Sequence, residues 1–218
     1  MASIQDVSAQ INRVPARDAQ FWNDVQLSIP LKKSADGKKE KISLLFAGTL
    51  RIGRNVTHPV DERVAVGLEF KVAPRWTITP SFLYRAAQPY EGRKEYEHRL
   101  RFDATYEQKL GRFTFKDRNR LEYRIRAATP DSVRYRNRIQ IGTPLKMKGK
   151  EILAPFIANE LYYDFRQRKR SRNDAIIGVA RKLGPDASVE IFYLYKVDNG
   201  TVLNHFNVVG TSFKLKIK

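Results

Sequence analysis

The chain has 218 residues, with 41 Lys and Arg against 23 Asp and Glu, a formal charge of +18 and no Cys. The missing thiols exclude disulfide scaffolds, thiolate metal sites and cysteine nucleophiles, and the charge directs attention to acidic partners such as nucleic acid, anionic lipid or lipopolysaccharide phosphate. No apolar run approaches the roughly 20 residues that a spanning helix needs, so any membrane insertion has to use strands.

Met1-Ala2-Ser3-Ile4 shows no basic segment followed by an apolar core, so either a signal peptide was cut away or the start was trimmed, and export is not read from this sequence. Residues 1–19 read as an irregular N-terminal segment, and 20–218 as one domain without a Gly/Ser or Pro linker. From Gln20 onward the text is a series of period-two stretches divided by turn residues, and none shows convincing helical spacing. The spacing predicts strands at 20–31, 41–54, 60–72, 75–85, 94–110, 112–126, 133–141, 151–165, 173–183, 187–197 and 203–217. Single-chain bacterial outer-membrane barrels have an even number of strands, so this reading expects ten to twelve with one missed or miscounted. Turns after Val72, Leu110 and Leu183 are tight, whereas connections after Arg54, Arg85, Arg126 and Phe165 read as longer and polar. Short turns on one rim and long loops on the other are the habit of such barrels. Pro80 and Pro155 fall inside strands and remove ladder donors, so a bulge is expected near each.

The two faces of each strand differ in chemistry. Val64, Val66, Leu68, Phe70 and Val72 share one face, Arg63, Ala65, Gly67, Glu69 and Lys71 the other. Along 94–110, Tyr96, His98, Leu100, Phe102, Ala104 and Tyr106 oppose Glu95, Glu97, Arg99, Arg101, Asp103, Thr105 and Glu107. A hairpin at Gly111 sets Glu97 near Arg124 or Arg126, Arg99 and Arg101 near Glu122, and Asp103 near Arg118 or Arg120. The next strand brings Arg134, Arg136 and Arg138 to Arg120, Glu122 and Arg124, and the one beyond sets Glu160 opposite Arg134. These residues form an expected ion-paired lumen; a solvated face of a half-buried sheet is the competing reading. A soluble barrel would carry the same alternation inside out. Aromatic placement favours the membrane. Tyr96 and Tyr106 lie ten residues apart, about 33 Å along a strand and about 25 Å across a bilayer once tilted. Trp76, Tyr84, Tyr193, Tyr195, Phe206 and Phe213 extend the apolar-face aromatics. Against this, Asp117, Asn119, Asn137 and Asn159 fall on the same face in mid-strand, which requires either register reversals or a shared polar seam.

Tyr90-Glu91-Gly92-Arg93-Lys94-Glu95-Tyr96-Glu97-His98-Arg99-Leu100-Arg101-Phe102 resembles the bacterial family catalogued as domain of unknown function 2490. Phe21-Trp22-Asn23, Lys116 to Arg120 with Glu122-Tyr123-Arg124, Arg134 to Arg138 and Glu160 to Phe165 are similar to the same pattern, over nearly the whole chain after Gln20. The resemblance implies an exported, outer-membrane-type barrel without an assigned activity. The chain ends on Lys218 rather than the terminal aromatic common in such barrels, with Phe213 the nearest substitute.

Histidine is confined to His58, His98 and His205, which form neither a Ser/His/acid constellation nor a metal spacing, and His98 reads as an interfacial residue. No Gly-rich phosphate loop appears, so neither an enzyme nor a cofactor is expected. Arg166, Arg168, Lys169, Arg170 and Arg172 form a basic loop suited to lipopolysaccharide phosphates on the outer rim, or an ordinary solvated charge run. The sequence therefore suggests a bacterial outer-membrane β-barrel that acts structurally or as a narrow anion-favouring pore, with outer-membrane lipid rather than nucleic acid as partner. The alternatives are a soluble basic barrel that binds nucleic acid or another polyanion and, more remotely, a lipid-modifying enzyme.

Overall fold

The computed structural model describes residues 17–34, 40–147, 150–199 and 203–217. It is all-β, with strands β1 (Arg17–Lys33), β2 (Glu40–Gly53), β3 (His58–Ala73), β4 (Trp76–Tyr90), β5 (Arg93–Leu110), β6 (Phe113–Arg126), β7 (Ser132–Gly142), β8 (Leu145–Met147), β9 (Lys150–Asp164), β10 (Lys169–Lys182), β11 (Ala187–Asn199) and β12 (Leu203–Lys216). Neighbours pair in order through β7, then β9 to β12, and β12 closes on β1. This is a closed barrel of eleven strands plus the short β8. An odd number of up-and-down strands can close only through a parallel pair, and β1 runs parallel to β12 from Arg17↔His205 to Ser28↔Lys216. β1 therefore begins at one rim, called here the N rim, and β12 ends at the other, the C rim.

The expected irregular segment gives up Arg17 to Ala19, which already pair in β1; residues 1–16 lie outside the described residues. The loops are shorter than expected on the N rim, where connections span 54–57, 91–92, 127–131 and 165–168. The long loop read after Arg85 is strand: Ala86 pairs with Tyr96 and Ala87 with Glu95, and after a bulge the turn closes at Glu91-Gly92, where Gly92 takes φ +76°. That φ lies in the left-handed region that only glycine enters without strain. Pro80 produces an interruption rather than a bulge, whereas near Pro155 there are both a break in the ladder and a register shift, between Leu145↔Leu153 and Lys146↔Glu151. The β3–β4 ladder skips from Gly67↔Ser81 to Phe70↔Ile78 with its register unshifted, because Pro80 has no N–H to give. Opposite Pro155, the β7 ladder stops at Gly142↔Phe156 and β8 resumes in the same register at Leu145↔Leu153, so Thr143-Pro144 splits what is otherwise one strand.

Orientation follows from burial. Val64 is 61 % exposed, Leu100 53 % and Phe102 51 %, whereas Glu97, Arg99 and Glu122 on the alternate face are at most 3 % exposed. The greasy face points outward and the charges inward, the reverse of what the soluble alternative requires. Trp76 and Tyr106 pack at 5.2 Å near the C rim, and His98 sits outward against Phe82 and Tyr84. Phe206 corrects the aromatic reading. It shares parity with Val208, points inward and is buried, while Tyr193, Tyr195 and Phe213 face out. The mid-strand polar residues form a shared seam. Asn137 Nδ2 donates to Asp117 at 2.7 Å and to Asn119 at 3.0 Å, and Asn159 Nδ2 donates to Asn173 at 2.8 Å. Each amide thus exchanges its hydrogen bonds across strands instead of facing hydrocarbon unpaired.

Candidate functional site: an ion-paired septum and a basic cup

The inner face divides the lumen into two layers. Toward the N rim, carboxylates and guanidiniums on β3 to β10 join into two neighbouring clusters, one around Asp61 and Glu97 and one around Glu122 and Glu160. Asp61 holds Arg63 and Arg85 at 2.6 and 2.7 Å. Glu97 accepts from Arg99 at 2.6 Å and from Arg124, whose other side lies 3.8 Å from Asp164. Glu122 binds Arg134 at 2.6 Å and Arg136 at 2.9 Å. Glu160 bridges Arg136 at 2.7 Å and Arg118 at 2.8 Å, and Asp103 takes Arg120 in a bidentate pair. Such fork-to-fork pairs are geometrically specific and stronger than single neutral bonds. Beyond β9 the layer turns apolar. Trp22, Phe156, Ala158, Ile176, Leu194, Phe206 and Val208 pack together and occupy the rest of the cross-section. Arg51 and Arg172 cap the Trp22 ring from 3.6 and 5.4 Å, a cation–π arrangement that joins the two halves.

Below this septum the lumen is open toward the C rim. One cavity of about 590 Å³ and a second of about 1390 Å³ occupy this region. The first is lined by twelve Lys and Arg against six carboxylates, among them Arg101, Lys109, Lys116, Arg118, Arg138, Lys182 and Lys214. Arg101 donates to Ser81 at 3.1 Å and Arg138 to Gln140 at 3.0 Å; neither has a carboxylate within ion-pair distance among the described residues. The Nε of Arg118 is buried without a hydrogen-bond partner.

The β5–β6 register is the expected one, with Arg101 opposite Glu122 and Asp103 opposite Arg120. The β6–β7 register differs from expectation by two residues. Arg134 faces Glu122, Arg136 faces Arg120, Arg138 faces Arg118, and Arg124 lies opposite Ser132. Glu160 correspondingly stands opposite Arg138, and Asp164 opposite Arg134. The five-residue connection 127–131 sets this offset, with Asp131 accepting from the Arg126 N–H at 3.1 Å. Arg172 is a further correction. β10 begins at Lys169, and a bulge at Ser171 turns Arg172 into the lumen, where it grips Asp174; it is not part of the rim loop. Arg166, Arg168, Lys169 and Arg170 stay exposed at the N rim. Asp61, Arg85, Asp164 and Asp174 also belong to the septum. Their position on the polar parity of their strands is the signal that could have found them.

His58 contacts Thr57 and His205 contacts Tyr195, both through Nδ1. Neither these nor His98 shares a hydrogen bond with a serine among the described residues.

The comparisons agree with this geometry. Residues 19–207 match the family described as Protein of unknown function (DUF2490), and the chain belongs to that family. No curated protein matches. Among solved structures, the NanC porin is similar at 12 % identity with a TM-score of 0.52, covering 92 % of this chain and 99 % of that one. The beta domain of the Bordetella autotransporter BrkA matches at 10 % identity and TM-score 0.45, over 75 % of this chain and 78 % of its own. The siderophore receptor PirA from Pseudomonas aeruginosa matches at 13 % identity and TM-score 0.33, over 82 % of this chain and 35 % of its own. At this identity the porin match speaks for the fold alone: this chain is an outer-membrane-type β-barrel.

Proposed function

We propose that the protein resides in the bacterial outer membrane and gives small anions access to its lumen from the C rim, as a narrow anion-favouring passage rather than an enzyme. The observation that carries this reading is the cup itself, a cavity lined by twelve cationic side chains against six anionic ones. A low-dielectric wall with one sign of charge in excess raises the local concentration of counter-ions. The septum sets the limit on throughput, because passage past the N rim requires its ion pairs to part. Conductance is therefore expected to be small and intermittent, with a reversal potential in a KCl gradient that favours chloride. Planar-bilayer recording tests this. Cation preference would overturn the reading, and silence at high protein load would leave a structural role. At the N rim, Arg166, Arg168, Lys169 and Arg170 suit lipopolysaccharide phosphates.

A further inference from the structure

The cup has two chemically different walls. On β6 and β7, Arg118 and Arg138 are direct cross-strand partners, a like-charge pair of a kind that costs stability unless an anion lies between them. Glu160 is the cross-strand partner of Arg138, and its carboxylate is already bound to Arg136 and Arg118. This leaves the Nε of Arg118 without an acceptor and Arg138 with only the Gln140 amide oxygen. In the same cavity, Phe156 on β9, the strand next to β7, and Phe192 on β11 form an apolar wall. Each ring packs against the glycine opposite it on the neighbouring strand, Phe156 against Gly178 and Phe192 against Gly210. A Cβ on Gly178 would come within 2.7 Å of the Phe156 ring, and one on Gly210 would overlap the Phe192 ring. The two glycines let the rings seat close to the barrel wall and keep the space between them and the arginines open.

We propose that the cup is a binding site for an organic oxyanion, a carboxylate or phosphate ester with an apolar body, whose acid group sits between Arg118 and Arg138 and whose body lies on Phe156 and Phe192. Planar guanidiniums match the oxygens of either acid group, and the phenylalanine wall has no use for a bare inorganic ion. This site rests on the reading that the lumen admits anions, though not on conduction.

Calorimetric titration of the detergent-folded protein at fixed ionic strength tests it, with phenylacetate and phenyl phosphate set against acetate, inorganic phosphate and benzyl alcohol. Either phenyl acid should bind about tenfold more tightly than its small counterpart, the effect of burying part of a ring, and the preferred one identifies the acid group. Arg138→Gln should weaken binding about tenfold or more without disturbing a carboxylate pair, and Phe192→Leu should erase the preference for the phenyl group while sparing acetate. Retention of the folded band in a heat-shift gel shows that each variant is intact. Equal affinity for acetate and phenylacetate, comparable binding of benzyl alcohol, or indifference to Arg138→Gln would overturn the proposal. Binding without conductance would refute the passage and leave this site standing; conductance without binding would do the opposite.

Discussion

Glu122→Gln is the sharpest probe of the septum. Glu122 is 0 % exposed and accepts from Arg134 at 2.6 Å and Arg136 at 2.9 Å, with Arg120 a further 3.8 Å away. Each of the two close pairs is worth about 4 kcal/mol of Coulomb attraction at an effective dielectric of about 20, before desolvation is subtracted. Glutamine keeps an acceptor oxygen but leaves the guanidiniums facing one another with less negative charge between them. Breaking a buried pair on one side costs about 3 to 5 kcal/mol, and Arg136, which keeps Glu160, limits the loss to the lower half of that range. Glu95→Gln is the control. Its side chain is 30 % exposed beside Arg85 and Arg93, and it should cost about 1 kcal/mol or less. Urea unfolding in phospholipid vesicles, followed by tryptophan fluorescence, measures both. The double variant Glu122→Gln/Arg134→Gln should recover part of the loss, since the two sites share one interaction. If Glu122→Gln proves no more destabilising than Glu95→Gln, the septum is wet and screened, and the inference that it seals the lumen fails.

Outward and inward positions should respond oppositely to charge. Val66→Arg places a guanidinium in the lipid-facing middle of β3 and should cost about 2 to 4 kcal/mol in vesicle unfolding, whereas Ala65→Lys, one residue away and facing the cavity, should be nearly neutral. In the polar seam, Asn137→Val removes the donor shared by Asp117 and Asn119 and should destabilise by about 1 to 3 kcal/mol in the same assay. Replacing Asp117, Asn119 and Asn137 together by Val, with Tyr135→Phe to remove the hydroxyl that donates to Asn119, should cost less than that single change, because no polar partner is then stranded.

The barrel was legible in the sequence because membrane and lumen impose opposite chemistry on successive residues, so Val64, Val66 and Leu68 separate from Arg63 and Glu69 without any tertiary information. The β5–β6 pairing was legible to within two residues, since a hairpin at Gly111 sets Asp103 near Arg118 or Arg120 and Glu97 near Arg124 or Arg126, and the structure takes Asp103↔Arg120 and Glu97↔Arg126. Between β6 and β7 the same logic failed. Apart from Glu122, the central inward positions of both strands are all Arg, so a two-residue slide preserves the face and meets mostly the same charge, and the choice falls to the 127–131 connection. The apolar half of the septum was hidden for a different reason. Around Phe206 and Val208 the alternation of β12 is reversed, with these two buried inward and His205 and Asn207 on the outer face, so the rule that apolar residues face out misplaces them. Arg172 was read as loop because the bulge at Ser171, which turns it inward, leaves no mark on composition.

The parallel seam between β1 and β12 makes the barrel vectorial. A barrel with an even number of strands hides both chain ends on the same side of the membrane, but here Arg17 stands level with His205 at one rim and Lys216 leaves from the other. A membrane-impermeant thiol reagent added to sealed vesicles would therefore reach cysteines placed at Arg17 and at Lys216 one at a time. Whichever end it reached first would fix the direction in which the cup opens.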